Sequence, residues 1–174
     1  IDAVPPFEGW PLQELLCLVD ICAGRLDDAA RRMTGVLTRV QTLALHVEHK
    51  RELTATRMSV ALWRGEPEQA ESIARQELTE LAETEQQALA ADLLVLLARA
   101  EADIASQPPH AKHREIDGAS WSQHHLVGMA ADPFADHPWH RPRPAQKATF
   151  IAEQTRRALT NDADLWAAAT AAWA

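Results

Sequence analysis

Tyrosine is absent from the 174 residues, phenylalanine occurs three times and cysteine twice. With so few large aromatics, alanine, leucine and valine must fill any core, a palette suited to closely packed helices rather than to sheets. Cys17 and Cys22 lie on one predicted helix, which points them in different directions and too far apart for an unstrained bridge. They read as small core residues, and no disulfide framework or zinc knuckle follows from them. There is no run of eighteen apolar residues, and the opening Ile-Asp-Ala-Val-Pro-Pro lacks the basic start and apolar centre of a signal peptide. No membrane contact is expected, and the chain reads as cytoplasmic. Positive charge is also short, with 17 Lys and Arg against 25 Asp and Glu and a formal net charge of −8. Such a surface repels a phosphate backbone, so direct nucleic acid contact is not expected.

What is present is a repeat. Cys22-Ala-Gly-Arg-Leu-Asp-Asp-Ala29 and Trp63-Arg-Gly-Glu-Pro-Glu-Gln-Ala70 share one layout, in which Gly65 and Ala70 follow Gly24 and Ala29 at the same interval. In each, a helix ends on a glycine able to take a left-handed cap and a second helix starts just beyond. Leu12, Leu15, Leu16, Val19 and Cys22 at helical spacing predict a helix over 11–23, opened by Pro11. Asp27 or Asp28 can cap the next, whose apolar stripe is Ala29, Ala30, Met33, Val36, Leu37 and Val40; Gly35 inside it would allow close approach of a neighbouring helix. After a junction within 42–48, Leu53, Thr56, Val60, Ala61 and Trp63 line one helix. Ala70, Ile73, Ala74, Leu78 and Leu81 line the next, which starts at Pro67 among the acidic side chains that a helix N-terminus favours.

A long helix over 86–106 carries Leu93, Leu94, Leu97, Ala98 and Ile104 on one side. Val95 and Leu96 widen that face, as expected of an inner helix with neighbours on more than one side. The interval from Gly24 to Gly65, stepped once more, reaches Ser106, where a third turn is expected before Pro108-Pro109. A shorter helix is expected near 119–131, with Trp121, Leu126 and Met129. Asp132 to Pro144 contains four prolines and reads as a non-helical connection. Helices resume over 145–159 and, capped by Asn161 or Asp162, over 163–174. The expected class is all-α: antiparallel helical hairpins over 1–107, a proline- and histidine-rich irregular segment over 108–144, and a C-terminal helical pair over 145–174. The chain opens without methionine and stops at Ala174 within a helical pattern, so it reads as a fragment of a longer protein.

The G-x-x-x-x-A turns at Gly24–Ala29 and Gly65–Ala70 are similar to the inter-helix turn of tetratricopeptide-type repeats, with a period longer than their usual length of about 34 residues. ALWRGEPEQAESIARQELTEL, ADLLVLLARAEADIA and NDADLWAAATAAWA, in that order, resemble the region between the ATPase and DNA-binding modules of large LuxR-family transcriptional regulators of actinobacteria. The resemblance covers 9–106 and 145–174 and implies hairpins stacked as a tetratricopeptide-like right-handed array. It implies a scaffold for a protein partner, a neighbouring domain or a small effector, with no cofactor and no catalysis of its own. The chain has no G-x-x-x-x-G-K-[ST] loop for phosphates and no basic recognition helix, so ATP and promoter binding would belong to other modules. A free-standing tetratricopeptide-like adaptor for partner peptides is the alternative.

A second alternative rests on the histidines. His110, His113, His124, His125, His137 and His140 crowd into one short part of the chain, a density that could suit a transition metal in a sensor or enzyme. No H-E-x-x-H pattern supports it, and most of these imidazoles fall on predicted irregular backbone. Ser120 and Ser122 beside His124 and His125 invite a nucleophile reading. No glycine-rich elbow accompanies them, and helix capping or exposure accounts for them better. Glu77, Glu80, Glu83 and Glu85 read as solvated. Trp63, Trp166 and Trp173 sit on apolar stripes and read as core, whereas Trp121 and Trp139 flank the irregular segment and could line a groove for a peptide or effector.

Overall fold

A computed structural model describes residues 9–40, 47–82, 90–107, 120–129, 132–135 and 143–174. Among them there are eight α-helices and no strand: α1 Trp10–Cys22, α2 Leu26–Val40, α3 Val47–Trp63, α4 Pro67–Ala82, α5 Ala91–Ser106, α6 Trp121–Gly128, α7 Arg143–Arg157 and α8 Ala163–Trp173. The all-α expectation holds. Contacts divide the chain into two compact units, Ile1–Glu66 and Pro67–Ala174.

The duplicated turn is the best-defined local feature. Gly24 and Gly65 have φ of 72° and 74°. Gly24 N donates to Ile21 O at 2.9 Å and Arg25 N to Asp20 O at 2.8 Å; Gly65 N donates to Leu62 O at 3.1 Å and Glu66 N to Ala61 O at 2.9 Å. Both are the paired 5→2 and 6→1 bonds of a Schellman motif, which satisfies carbonyls that a helix end leaves unpaired. Every donor and acceptor of the second turn is offset from its counterpart in the first by the interval between the two glycines. Asp27 and Asp28 stand inside the first turn of α2 rather than before it. They complement the helix dipole instead of capping it, because the short Schellman exit brings the next helix in by Leu26.

In the first unit α1 packs on α2, and both reach α3. Cys17, Ile21, Ala29, Met33 and Val60 form one core cluster, with Ala30 and Leu37 against it; Val36, Val40 and Leu53 form a second. The α2 stripe is therefore inward, as its spacing predicts. Gly35 is not a crossing point: a Cβ built there meets nothing within 4 Å. Cys17 is buried and donates its Sγ–H to Ala29 O at 3.3 Å, but Cys22 is exposed. The difference follows from the 100° rotation per residue, which carries a position five residues on round to the outer side.

In the second unit α5 is the inner helix, packing on α4, α6 and α7, and α7 in turn packs on α8. Leu93, Leu94 and Leu97 are wholly buried, and Ile104 nearly so. At the expected third turn α5 does end at Ser106, but Gln107 is extended, with ψ of 135°, instead of left-handed. The start expected for this helix, 86–89, lies outside the described residues. Arg143 and Pro144 open α7, so the stretch expected to avoid helix up to Pro144 ends two residues earlier. Proline fits there because the first helical turn has no use for its missing N–H. Asp162 caps α8, its carboxylate accepting from Asp164 N at 2.9 Å and Leu165 N at 3.2 Å.

The tryptophans expected in the core divide. Trp63 and Trp173 are each 54% exposed, and only Trp166 is half-buried. Indole N–H groups account for part of this: Trp173 Nε1 donates to Thr149 Oγ1 and Trp166 Nε1 to Asn161 Oδ1, both at 3.0 Å. A hydrogen-bonded rim position satisfies a polar donor that burial would strand. Among the described residues no helix is long and apolar enough to cross a membrane.

Candidate interaction surfaces

Helix α1 is turned the unexpected way round. Its apolar stripe faces outward, with Leu12 and Leu15 56% exposed, Val19 48% and Leu18 40%. The inward face sets Cys17 and Ile21 among polar side chains that are each paired. Asp20, 4% exposed, accepts from Arg25 Nε at 2.9 Å and from Arg32 Nε at 3.1 Å. Arg32 also donates to Gln13 Oε1 at 2.8 Å, and Thr56 Oγ1 donates to Glu14 Oε1 at 2.7 Å. The Arg25 hydrogen bond, with Arg32 beside it, holds the Asp20 carboxyl below its ordinary range. Burial pushes the Glu14 carboxyl up, opposed by the Thr56 hydroxyl. Buried charged groups persist only when paired, and here their partners on α2, α3 and the α1–α2 turn decide which side of α1 turns in. Four large aliphatic side chains are left side by side in water, a patch of the kind that marks a contact surface.

The second surface is carried by α6. Ser120 caps this helix, its Oγ accepting from Gln123 N at 3.0 Å. Ser122 donates its backbone N–H to Glu101 Oε1 at 3.1 Å and its hydroxyl to Glu101 Oε2 at 2.7 Å. Gln154 of α7 closes the network: Ser120 Oγ donates to Gln154 Oε1 and Gln154 Nε2 donates to Ser122 Oγ, each at 2.9 Å. Ser120, Ser122 and Glu101 are all buried. Two short side chains thus clamp a two-turn helix onto α5 and α7, where apolar contact alone would be small.

On α6, Trp121 and His125 are one turn apart and stack, with centroids 4.6 Å apart and planes inclined by 14°. Arg75 of α4 brings its guanidinium to 5.3 Å from the Trp121 ring and donates to Glu71 at 2.6 Å. Burial pushes the His125 imidazole pKa down. Its Nε2 is buried and makes no hydrogen bond to any described residue; the Leu78 backbone pulls the pKa upward without reversing the shift. A third polar clasp lies between α5 and α7, where Arg156 donates to Asp103 at 2.6 Å, Glu153 at 2.7 Å and Arg99 O at 3.2 Å.

Of the six histidines considered as metal ligands, His110, His113, His137 and His140 lie outside the described residues, as does Trp139. His124 is exposed while its neighbour His125 is half-buried against Trp121. Among the described residues no group of three or more His, Cys, Asp or Glu could hold a metal ion. The serines are a cap and a clamp, and the hydroxyl of Ser122 points to Glu101 rather than to an imidazole. Glu77, expected to be solvated, is buried; it falls one position before Leu78 and shares its inward side. Glu83 and Glu85 lie outside the described residues.

Two features of this surface were open to sequence reasoning and overlooked. Trp121 and His125 are at i, i+4, and Glu101 falls on the apolar stripe Leu94-Leu97-Ala98-Ile104, where a carboxylate requires a partner. Among the described residues the chain is all-helical, with polar networks joining α1 to α2 and α3 and α6 and α7 to α5. No protein-family model, curated protein or solved structure matches it.

Proposed function

We propose that this chain is the helical-repeat interaction region of a LuxR-family transcriptional regulator, a tetratricopeptide-like array that receives a protein partner, a neighbouring domain or a small effector and itself performs no catalysis. The observation that carries the interaction role is the outward apolar face of α1. A helix that buries its charged side and exposes four aliphatic side chains forgoes about 25 cal/mol per Å² of apolar surface left in water, and regains it when another element covers that face. The paired Schellman turns at Gly24 and Gly65 support a repeat architecture, since an inner repeat presents an apolar face to its neighbour.

The test has two arms. In the complete reading frame, a phosphate-binding loop upstream and a helix-turn-helix downstream are expected; absence of both removes the regulator assignment and leaves the adaptor reading. In the protein of that full length, Leu15→Glu together with Val19→Glu should abolish amide protection of α1 gained from the covering element. Equal hydrogen exchange of α1 in the full-length protein and in this chain alone would remove the interaction role.

A further inference from the structure

Gly35 stands in the middle of α2, where glycine weakens a helix relative to alanine. No neighbour requires it, because an added Cβ would enter open space. That space is a groove of about 350 Å³ bordered by Gln13 of α1 and by Asp28, Arg31, Arg32, Val36 and Arg39 of α2. Positions 28, 31, 32, 35 and 39 recur every third or fourth residue and so share one side of the helix. Three arginines and one aspartate therefore line a floor kept open by the missing side chain, with the Asp20 carboxylate behind Arg32 leaving a local excess of positive charge. In a chain of net charge −8 this is a local reversal of sign.

The guanidinium groups differ in their freedom to turn. Arg32 is fixed by Asp20 at 3.1 Å and by Gln13 at 2.8 Å, which orients it as a built wall of the groove. Arg31 has a side chain 77% exposed, and its partner Asp28 is 43% exposed. Such a surface pair is weakly held, so Arg31 can exchange Asp28 for a bound anion at little cost. Planar forked donors match phosphate and carboxylate oxygens in pairs. The volume is at the lower end of small-molecule sites and exceeds what a bare inorganic ion needs.

We propose that this groove binds a small molecule carrying a phosphate or diphosphate group, with Arg31, Arg32 and Arg39 as its cationic ligands and Gly35 as the opening that admits it. The site goes beyond the regulator reading and does not depend on it. A nucleic acid backbone is a poorer match, because the acidic remainder of the chain repels an extended polyanion and not a small one.

The experiment is calorimetric titration of inorganic pyrophosphate into the intact chain at low salt, with citrate and a short DNA duplex titrated in parallel. Saturable one-to-one binding of pyrophosphate is expected. Arg31→Gln and Arg39→Gln should each weaken it roughly tenfold, the worth of one charge-assisted hydrogen bond to an anion. Gly35→Leu should abolish binding by filling the floor, while far-ultraviolet circular dichroism and the melting temperature show the helix intact. Arg157→Gln on α7, removing one charge elsewhere, should leave the affinity unchanged. Absence of saturable heat, an equal loss in the Arg157 variant, retained binding in Gly35→Leu, or tighter binding of citrate or DNA than of pyrophosphate would each overturn the assignment.

Discussion

Replacing Glu101 tests whether α6 is held by its polar clamp. The carboxylate accepts two hydrogen bonds from Ser122, one from the buried backbone N–H at 3.1 Å and one from the hydroxyl at 2.7 Å. Glu101→Ala removes both acceptors, and the Ser122 N–H lies in the first turn of α6, where no helix carbonyl is available to it. Stranding a buried donor costs about 1–3 kcal/mol, and losing the second charge-assisted bond adds about 1.5–3 kcal/mol, so a total of about 2.5–6 kcal/mol is expected. Glu101→Gln is milder. Its amide oxygen can accept from the Ser122 N–H while its amide nitrogen donates to Ser122 Oγ, provided the Ser122 hydroxyl turns to Ser120 Oγ, 2.9 Å away. That rearrangement keeps the Ser120, Ser122 and Gln154 donors paired and forfeits the charge, a loss of about 1–2 kcal/mol. Urea unfolding followed by tryptophan fluorescence, with Ser122→Ala and the double variant completing a thermodynamic cycle, measures both quantities. Destabilisation below about 1 kcal/mol for Glu101→Ala, or no coupling to Ser122, would refute the clamp.

Other substitutions probe the backbone and the stack. Gly24→Ala and Gly65→Ala should each cost about 1–2 kcal/mol, a purely conformational penalty because a Cβ at either position meets nothing within 4 Å; unchanged urea midpoints would contradict the left-handed cap. Leu159 sits at φ 59° and is 55% exposed, so Leu159→Gly should raise stability by about 0.5–1 kcal/mol, and a loss would show that its side chain packs. The depressed His125 pKa makes stability fall as pH drops below about 6.5, because the unfolded chain then takes up a proton that the folded chain refuses. His125→Phe should flatten the profile between about pH 7.5 and 5.5, and an unaltered slope would place the titrating group elsewhere.

Local structure was largely legible in the sequence. The left-handed caps followed from Gly24 and Gly65, the α2 stripe from its spacing, and the inner place of α5 from the breadth of its apolar face. These depend on short-range chemistry: left-handed φ, helical periodicity and side chains that cap the backbone a few residues away. Orientation was less legible. Apolar spacing located α1 but gave the wrong side as the inner one, because Asp20, Gln13 and Glu14 find partners 12, 19 and 42 residues away. Trp63 and Trp173 matched core spacing and are exposed; for Trp173 the indole N–H reaches Thr149 Oγ1 on another helix, a contact that stripe analysis does not register.

By itself, then, the sequence determined that this protein is helical, where most of its helices begin and end, and that one turn is used twice, at Gly24 and at Gly65. Only the tertiary structure decided which faces are left for others. It turned the aliphatic side of α1 outward, stacked Trp121 and His125 under Arg75, clamped α6 through Ser122 and Glu101, and opened a groove over Gly35 among three arginines. Periodicity is a property of one helix, whereas the pairing of a buried charge depends on what another helix brings to it.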